Sequence, residues 1–180
     1  GHSRADPNPL GEAFRNEFAY TDQTARVVDD GNILGSIHEG KNIKKFQEEE
    51  GVTYAEPGYF KIFNFPLSKG NKADILSKPD EAVITEKVAG KYFGNANDAV
   101  GKTIRINNKT DFIVTGILKD IPANTDRKQE IYLSFDNLKD QSKLLASDSS
   151  WGSVYSGSQY FVLLKKYVLP ALVDKALKST

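Results

Sequence analysis

The sequence predicts an α+β domain in which strands outnumber helices and the two kinds of element mix along the chain. Short apolar runs of strand length recur, such as residues 82–85. Residues 103–118 alternate apolar and polar side chains on two arms about an Asn-Asn turn, which is typical of a hairpin. Residues 86–93 carry apolar side chains at helical spacing. Together these observations favour a mixed sheet with a few helices.

The first third of the chain is predicted to begin with a helix. Leu10, Phe14 and Phe18 lie four residues apart, which places them on one helical face within residues 8–18. The elements that follow are predicted as a strand at 25–28, a turn at 29–32, a strand from 33 with a turn at Glu39-Gly40, a polar segment, and a strand at 52–56.

The middle of the chain contains the strongest local signals. Four aromatic residues within 57–67 favour a short helix turned toward the core, and 68–81 is predicted as a loop. After the strand at 82–85, Thr85 is predicted to cap the helix 86–93, and Gly94 suits the left-handed position beyond its end.

The last part of the chain is predicted as strand, loop, strand and helix. Residues 130–138 indicate a strand and a helix start, and 147–159 a polar loop that holds Trp151 and Tyr155. A strong strand at 159–166 precedes a helix at 169–179, with Pro170 near its first turn.

Composition excludes several classes of function. The 180 residues suit one domain or two small lobes, and 24 basic side chains balance 24 acidic ones. This balance provides no general attraction to nucleic acid or anionic lipid. The absence of cysteine removes disulfides, thiolate metal sites and thiol nucleophiles. No apolar run approaches the ~20 residues that cross a bilayer.

Residues 96–103, ANDAVGKT, match a loose phosphate-binding loop with Ala96 in place of the first glycine. A phosphate loop follows a strand and opens a helix at its Lys-Thr pair. Here a helix precedes the stretch, and Lys102-Thr103 opens a strand of β-branched residues. Asp98 within the loop would also repel phosphate. The context therefore predicts a turn that enters a hairpin rather than a nucleotide site.

The other candidate residues are also explained by structural roles. His38 is interpreted as a surface histidine, so no metal site is predicted. Trp151 and Tyr155 are the weak ligand-binding candidates, because aromatic rings stack on sugars. The acidic runs 29–30, 48–50 and 80–81 are interpreted as solvated surface. The sequence does not exclude that two dispersed carboxylates face each other across a cleft, as in a glycoside hydrolase. No catalytic residue and no cofactor is predicted.

The ordered series of motifs resembles the MacB-like periplasmic core domain of Bacteroidetes-type FtsX/MacB permeases. The resemblance is carried by residues 9–28, 58–71, 78–125, 132–138, 151–153 and 160–166. Within it, VITEK, KYFG, GKTI and FIVTGILKDIP are the most specific phrases. Departures occur at Ala99-Val100, where the family usually has Asp/Asn-Pro-(Ile/Val), and at 122–135; both concern loop geometry.

The resemblance implies a non-catalytic, two-lobed domain on the periplasmic side of the bacterial inner membrane. Residues 8–66 and 127–180 would form a porter-like lobe and 67–126 an inserted, β-rich sabre-like lobe, with 1–7 partly expression scar and linker. The domain would transmit ATP-driven motion or handle a transport or efflux substrate. Its partners would be a nucleotide-binding ATPase subunit or domain, a second permease chain and a periplasmic adaptor, with transmembrane helices on both sides.

Two alternatives stay open from the sequence. One is a stand-alone extracytoplasmic module that binds glycans through Trp151 and its tyrosine neighbours, and the other is the hydrolase with dispersed carboxylates. The chain is interpreted as a piece of a longer membrane protein, so its ends, near Asn8 and Thr180, are expected to lie close together and face the membrane.

Overall fold

The fold was analysed in a computed structural model that describes residues 21–122, 128–138 and 158–164. Strands β1 to β10 span Thr21–Asp30, Ile33–Glu39, Asn42–Glu48, Val52–Ala55, Leu67–Lys69, Glu81–Thr85, Thr103–Ile106, Thr110–Leu118, Ile131–Ser134 and Ser158–Leu164. Helices α1 and α2 span Gly58–Ile62 and Glu86–Phe93. Short 3₁₀ turns cover Lys72–Asp74, Ala96–Asp98 and Phe135–Asn137.

The strands form one mixed sheet, which confirms the predicted α+β class. Within the described residues its order is β10-β1-β4-β9-β6-β8-β7-β2-β3, with β5 paired to β8. The pairs β4–β9 and β6–β8 are parallel, whereas the other pairs are antiparallel. Two strands of the predicted inserted lobe are hydrogen-bonded to strands of the predicted porter-like lobe: β6 pairs with β9, and β7 pairs with β2. The division into two lobes stays a prediction.

Both faces of the central strands are buried, each under its own hydrophobic core. Successive side chains of a strand point to opposite faces, so in β9 Ile131 and Leu133 enter one core and Tyr132 the other. The first core contains Val88, Ala89 and Tyr92 of α2 and is called the α2 core. The second contains residues of α1 and is called the α1 core. Burial on both sides explains why β4 and β9 are continuously buried.

Aromatic rings dominate the α1 core, as the sequence predicts for residues 57–67. Tyr59 and Phe60 are buried, and their ring centroids lie 5.7 and 5.1 Å from that of Tyr132. Phe63 and Phe65 stack on each other at 5.7 Å. Although α1 has only five residues, its aromatic rings cover one face of the sheet.

Helix α2 has the predicted boundaries. The Thr85 hydroxyl accepts a hydrogen bond from the Val88 N–H at 3.3 Å, which satisfies one of the free N–H groups at the helix start. Gly94 ends the helix in the left-handed region at φ 77°. Between these ends, Tyr92 reaches across the α2 core, where its ring stacks on Phe46 at 4.2 Å.

Strand β3 was missed by the sequence analysis, which described it as a polar segment. It lies at the end of the sheet, and most of its side chains are exposed on both faces, so no apolar alternation marks it. Strand β5, Leu67–Lys69, likewise lies mostly where the sequence predicts the 68–81 loop. The helices predicted at 8–18 and 169–179, and the expected proximity of Asn8 and Thr180, lie outside the described residues.

Candidate functional site

The stretch that resembles a phosphate loop is a tight turn into β7. Residues 96–98 form a 3₁₀ turn, and Gly101 adopts φ +87°, a conformation that favours glycine. The Gly101 N–H donates to the Val114 carbonyl at 2.8 Å, and the Lys102 N–H to the Ala99 carbonyl at 3.1 Å. These N–H groups are therefore occupied within the turn and do not converge on a phosphate. The predicted interpretation as a turn that enters a hairpin is confirmed.

The same turn forms one wall of a groove, which we call the β2–β7 groove. It is bounded by residues 36–39, residues 101–103, Phe93, Arg105 and Asp111, and has a volume of about 500 Å³. The Lys102 ammonium lies 5.3 Å from the centroid of the Phe93 ring, within range of a cation–π contact. The groove is therefore part apolar and part charged.

An exposed ion pair stands at the mouth of this groove. The Arg105 guanidinium donates to both carboxylate oxygens of Asp111, at 2.7 and 3.1 Å. This pairing holds the pKa of Asp111 below its usual value. Because both side chains are exposed, the pair orders the surface more than it stabilises the fold.

Two of the acidic runs meet in a second depression, the acidic cleft. The β1–β2 and β3–β4 connections lie side by side, so residues 29–31 and 49–51 share a cleft of about 260 Å³ with Lys128 and Gln129. The Lys128 ammonium lies 3.4 Å from a Glu50 oxygen. Burial raises the pKa of Asp30, opposed by a hydrogen bond from the Gly31 N–H. Among the described residues, no three acidic or histidine side chains converge as metal ligands.

Replacing Asp30 with asparagine is expected to stabilise the fold at neutral pH. A carboxyl whose pKa is raised on folding binds more protons in the folded state, so its contribution to stability falls as pH rises through that raised pKa. The advantage of Asp30→Asn should therefore shrink as pH is lowered toward the unfolded value of about 3.9. Urea unfolding midpoints across this range measure it. An asparagine variant that is less stable at neutral pH would contradict the assignment.

Glu48, the first acid of the 48–50 run, contacts helix α2 instead of lining the acidic cleft. One Glu48 oxygen accepts from the Tyr92 hydroxyl at 2.8 Å and pairs with the Lys91 ammonium at 2.7 Å. Burial and the neighbouring Glu48 carboxylate raise the pKa of Tyr92. Because Tyr92 is fully buried, this small network fixes α2 against the end of β3.

The remaining sequence candidates do not converge on one site. His38 is exposed on β2 at the β2–β7 groove, as predicted for a surface histidine. Asp80 bonds the Asn137 amide at 2.7 Å. Trp151 and Tyr155 lie outside the described residues, so sugar binding stays a prediction. Sequence reasoning missed that His38 and Lys102 border the same groove, because no local pattern reveals that β2 and β7 are neighbours.

The comparison with protein families is decisive for identity. The sequence model of the MacB-like periplasmic core domain matches residues 2–180. The chain belongs to this family. The resemblance stated from the sequence motifs is confirmed, and it covers nearly the whole chain. The MacB-like family comprises periplasmic core domains, which agrees with the extracytoplasmic location that the resemblance implies.

Solved structures support the MacB-like fold. A domain of a protein described as a permease from Porphyromonas gingivalis superposes with a TM-score of 0.72 at 20% identity, over 99% of this chain and 76% of that one. The periplasmic region of MacB from Actinobacillus actinomycetemcomitans gives 0.64 at 18% identity, over 99% and 73%. The extracellular domain of the ABC-type transporter YknZ from Gram-positive bacteria gives 0.54 at 17%, over 98% and 78%.

None of the curated proteins compared with the chain matches it in sequence. In the part of the chain that the structure describes, no helix is long and apolar enough to span a bilayer.

Proposed function

We propose that this MacB-like domain is the extracytoplasmic part of an ABC transporter permease, in which it transmits ATP-driven motion or handles substrate without catalysing a reaction. The observation that carries the proposal is the family match over residues 2–180. The likeness to the MacB periplasmic region supports the same assignment at the level of fold.

The architecture suits a part that transmits movement. One hydrogen-bonded sheet runs from β10 to β3 through the described residues, and its central strands are held between the α1 and α2 cores. Close-packed interiors resist compression, so a displacement applied at one edge of such a sheet is passed on as rigid-body motion. The β6–β9 pairing joins the two predicted lobes at the centre of the sheet.

The proposal assigns energy supply and membrane attachment to other parts of the protein. A nucleotide-binding ATPase would act on the cytoplasmic side, two permease chains would pair, and a periplasmic adaptor would complete the assembly. Transmembrane helices would flank the domain and hold it at the periplasmic side of the inner membrane. The occupied N–H groups in the 96–103 turn support placing ATP elsewhere. The porter-like and sabre-like division and the absence of a cofactor belong to this proposal.

A topology experiment tests the location. Because these 180 residues contain no cysteine, Lys61→Cys introduces a thiol that is unique within them, at an exposed position of α1, and any cysteine elsewhere in the parent is replaced by serine. In intact spheroplasts of cells that express the full-length parent, a membrane-impermeant maleimide is expected to label this thiol. Labelling that occurs only after lysis would contradict the periplasmic location.

The same cells test the partnership. Affinity purification of the full-length parent after mild cross-linking is expected to bring down a nucleotide-binding ATPase, identified by mass spectrometry, unless the parent itself contains the ATPase domain. A parent that has neither an ATPase domain nor an ATPase partner would defeat the permease assignment and favour the stand-alone binding module.

A further inference from the structure

Strands β2 and β7 begin to pair and then separate. Their antiparallel register includes only Gly35 opposite Ile106 and Ser36 opposite Arg105. Continued by two residues, the same register would set His38 opposite Thr103, yet no pairing occurs there. The β2–β7 groove occupies this opening, and Phe93 lies beside it.

The backbone groups at the opening point into it. The Leu34 N–H and carbonyl both bond to Asn107, so they face β7, and alternation along the strand turns those of His38 the same way. On β7, the Lys102 carbonyl accepts from Val114 on the β8 side, so the N–H and carbonyl of Thr103 face β2. Each side of the groove therefore presents one donor and one acceptor that have no strand partner among the residues the structure describes.

A buried hydroxyl adds an independent observation. Ser36 is 1% exposed, borders the groove, and its Oγ has no hydrogen-bond partner among the described residues. Buried hydroxyl groups nearly always have a hydrogen-bond partner, because burying a polar group without a hydrogen bond costs free energy. This hydroxyl is therefore a polar group beside the groove that the described residues leave unpaired.

The charges around the groove favour an acidic occupant. Both nearby acids are already paired, Asp111 with Arg105 and Glu39 with Lys44. Lys102 at the groove and Lys45, opposite Ser36 in the β2–β3 ladder, have no carboxylate partner within the described ranges. The uncompensated charge is therefore positive.

We propose that the β2–β7 groove binds an extended acidic peptide segment of a partner protein by strand addition. A peptide offers the alternating N–H and carbonyl groups that the two strand edges lack, and its carboxylates would face Lys102 and Lys45. Ile43 on β3 and Ile113 on β8 are 52% and 49% exposed and lie opposite His38 and Thr103 in their ladders, so exposed apolar surface lies beside both strands that flank the groove. An acidic peptide would be a partner for the proposed permease, but its binding depends only on the geometry and charge of the β2–β7 groove.

Binding of a defined probe to the 180-residue chain tests this inference. The probe is a fluorescent, end-blocked hexapeptide of alternating glutamate and valine, followed by fluorescence anisotropy. Its matched controls are the lysine–valine peptide and the same acidic peptide with N-methyl groups on alternate amides, which removes donors but keeps every charge. We expect the acidic peptide to bind, and we expect N-methylation to lower its affinity by about tenfold. We expect no binding of the basic peptide.

Variants and amide exchange locate the site. Lys102→Glu should lower the affinity for the acidic peptide by about tenfold. Lys61→Glu, the same charge change on α1, should leave that affinity unchanged. In the free chain the His38 and Thr103 amide protons should exchange quickly, and the peptide should slow both. Equal affinity for the methylated peptide, or competition by inorganic phosphate with no protection of the two amides, would show a simple anion site and overturn strand addition. Failure here would leave the permease assignment intact, since the topology and purification experiments do not involve the groove.

Discussion

Replacing Tyr132 with alanine is expected to lower the free energy of unfolding by about 4 kcal/mol. Tyr132 is fully buried in the central strand β9 and touches both Tyr59 and Phe60 of α1. Removing its ring opens a cavity between the sheet and α1. Fluorescence-detected urea unfolding measures the change.

Two control variants make this measurement specific. Tyr132→Phe keeps the ring and should lose well under half as much stability. Ile43→Ala removes a side chain that is 52% exposed on the edge strand β3, so its effect should stay below about 1 kcal/mol. Equal losses for Tyr132→Ala and Ile43→Ala would show that the α1 core does not hold the sheet as described.

Replacing Gly35 with alanine is expected to destabilise the fold by about 3 kcal/mol. A Cβ atom at Gly35 would lie 2.2 Å from the Tyr92 hydroxyl oxygen and 3.0 Å from two of its ring carbons. Tyr92 is fully buried and hydrogen-bonded to Glu48, so it cannot move aside without losing that bond and its stacking on Phe46. Glycine in β2 is therefore required by the close approach of α2.

A double-mutant cycle isolates this contact. Tyr92→Phe removes the oxygen that clashes, so it should recover part of the stability lost in Gly35→Ala, giving a measurable coupling between the two positions. Gly90→Ala is the matched control, because a Cβ there has no atom within 4 Å and the residue lies in a helix. That variant should be more stable by about 0.5–1 kcal/mol. Additive effects at Gly35 and Tyr92 would contradict the proposed clash.

The elements that the sequence predicts well are those with local causes. The start of α2 at Thr85 and its end at Gly94 follow from side-chain capping and from a left-handed glycine, both of which involve neighbouring residues. The Asn107-Asn108 turn is equally local, since both residues adopt positive φ. Strand β3 had no such signal, because an edge strand with polar side chains on both faces lacks the alternation that marks a half-buried strand.

The arrangement of the strands could not be read from local pattern. Strand β9 pairs with β4 and β6, which come from distant parts of the chain, and β2 meets β7 through the side chain of Asn107 bonded to Leu34. These contacts depend on tertiary packing, so the β2–β7 groove had no signature in the sequence. The ordered motifs did predict the family, because a series of phrases in fixed order is more specific than any one of them.

Under the proposed function, this domain should move as a rigid unit when ATP is turned over on the other side of the membrane. In the proposed dimer of full-length permease chains, a spin label at Lys61→Cys would report the distance between the two copies of α1 by double electron–electron resonance. We expect this distance to differ between the nucleotide-free and vanadate-trapped states, with the chain's unfolding midpoint unchanged by the label. Identical distance distributions in the two states would contradict transmission of ATP-driven motion through this domain.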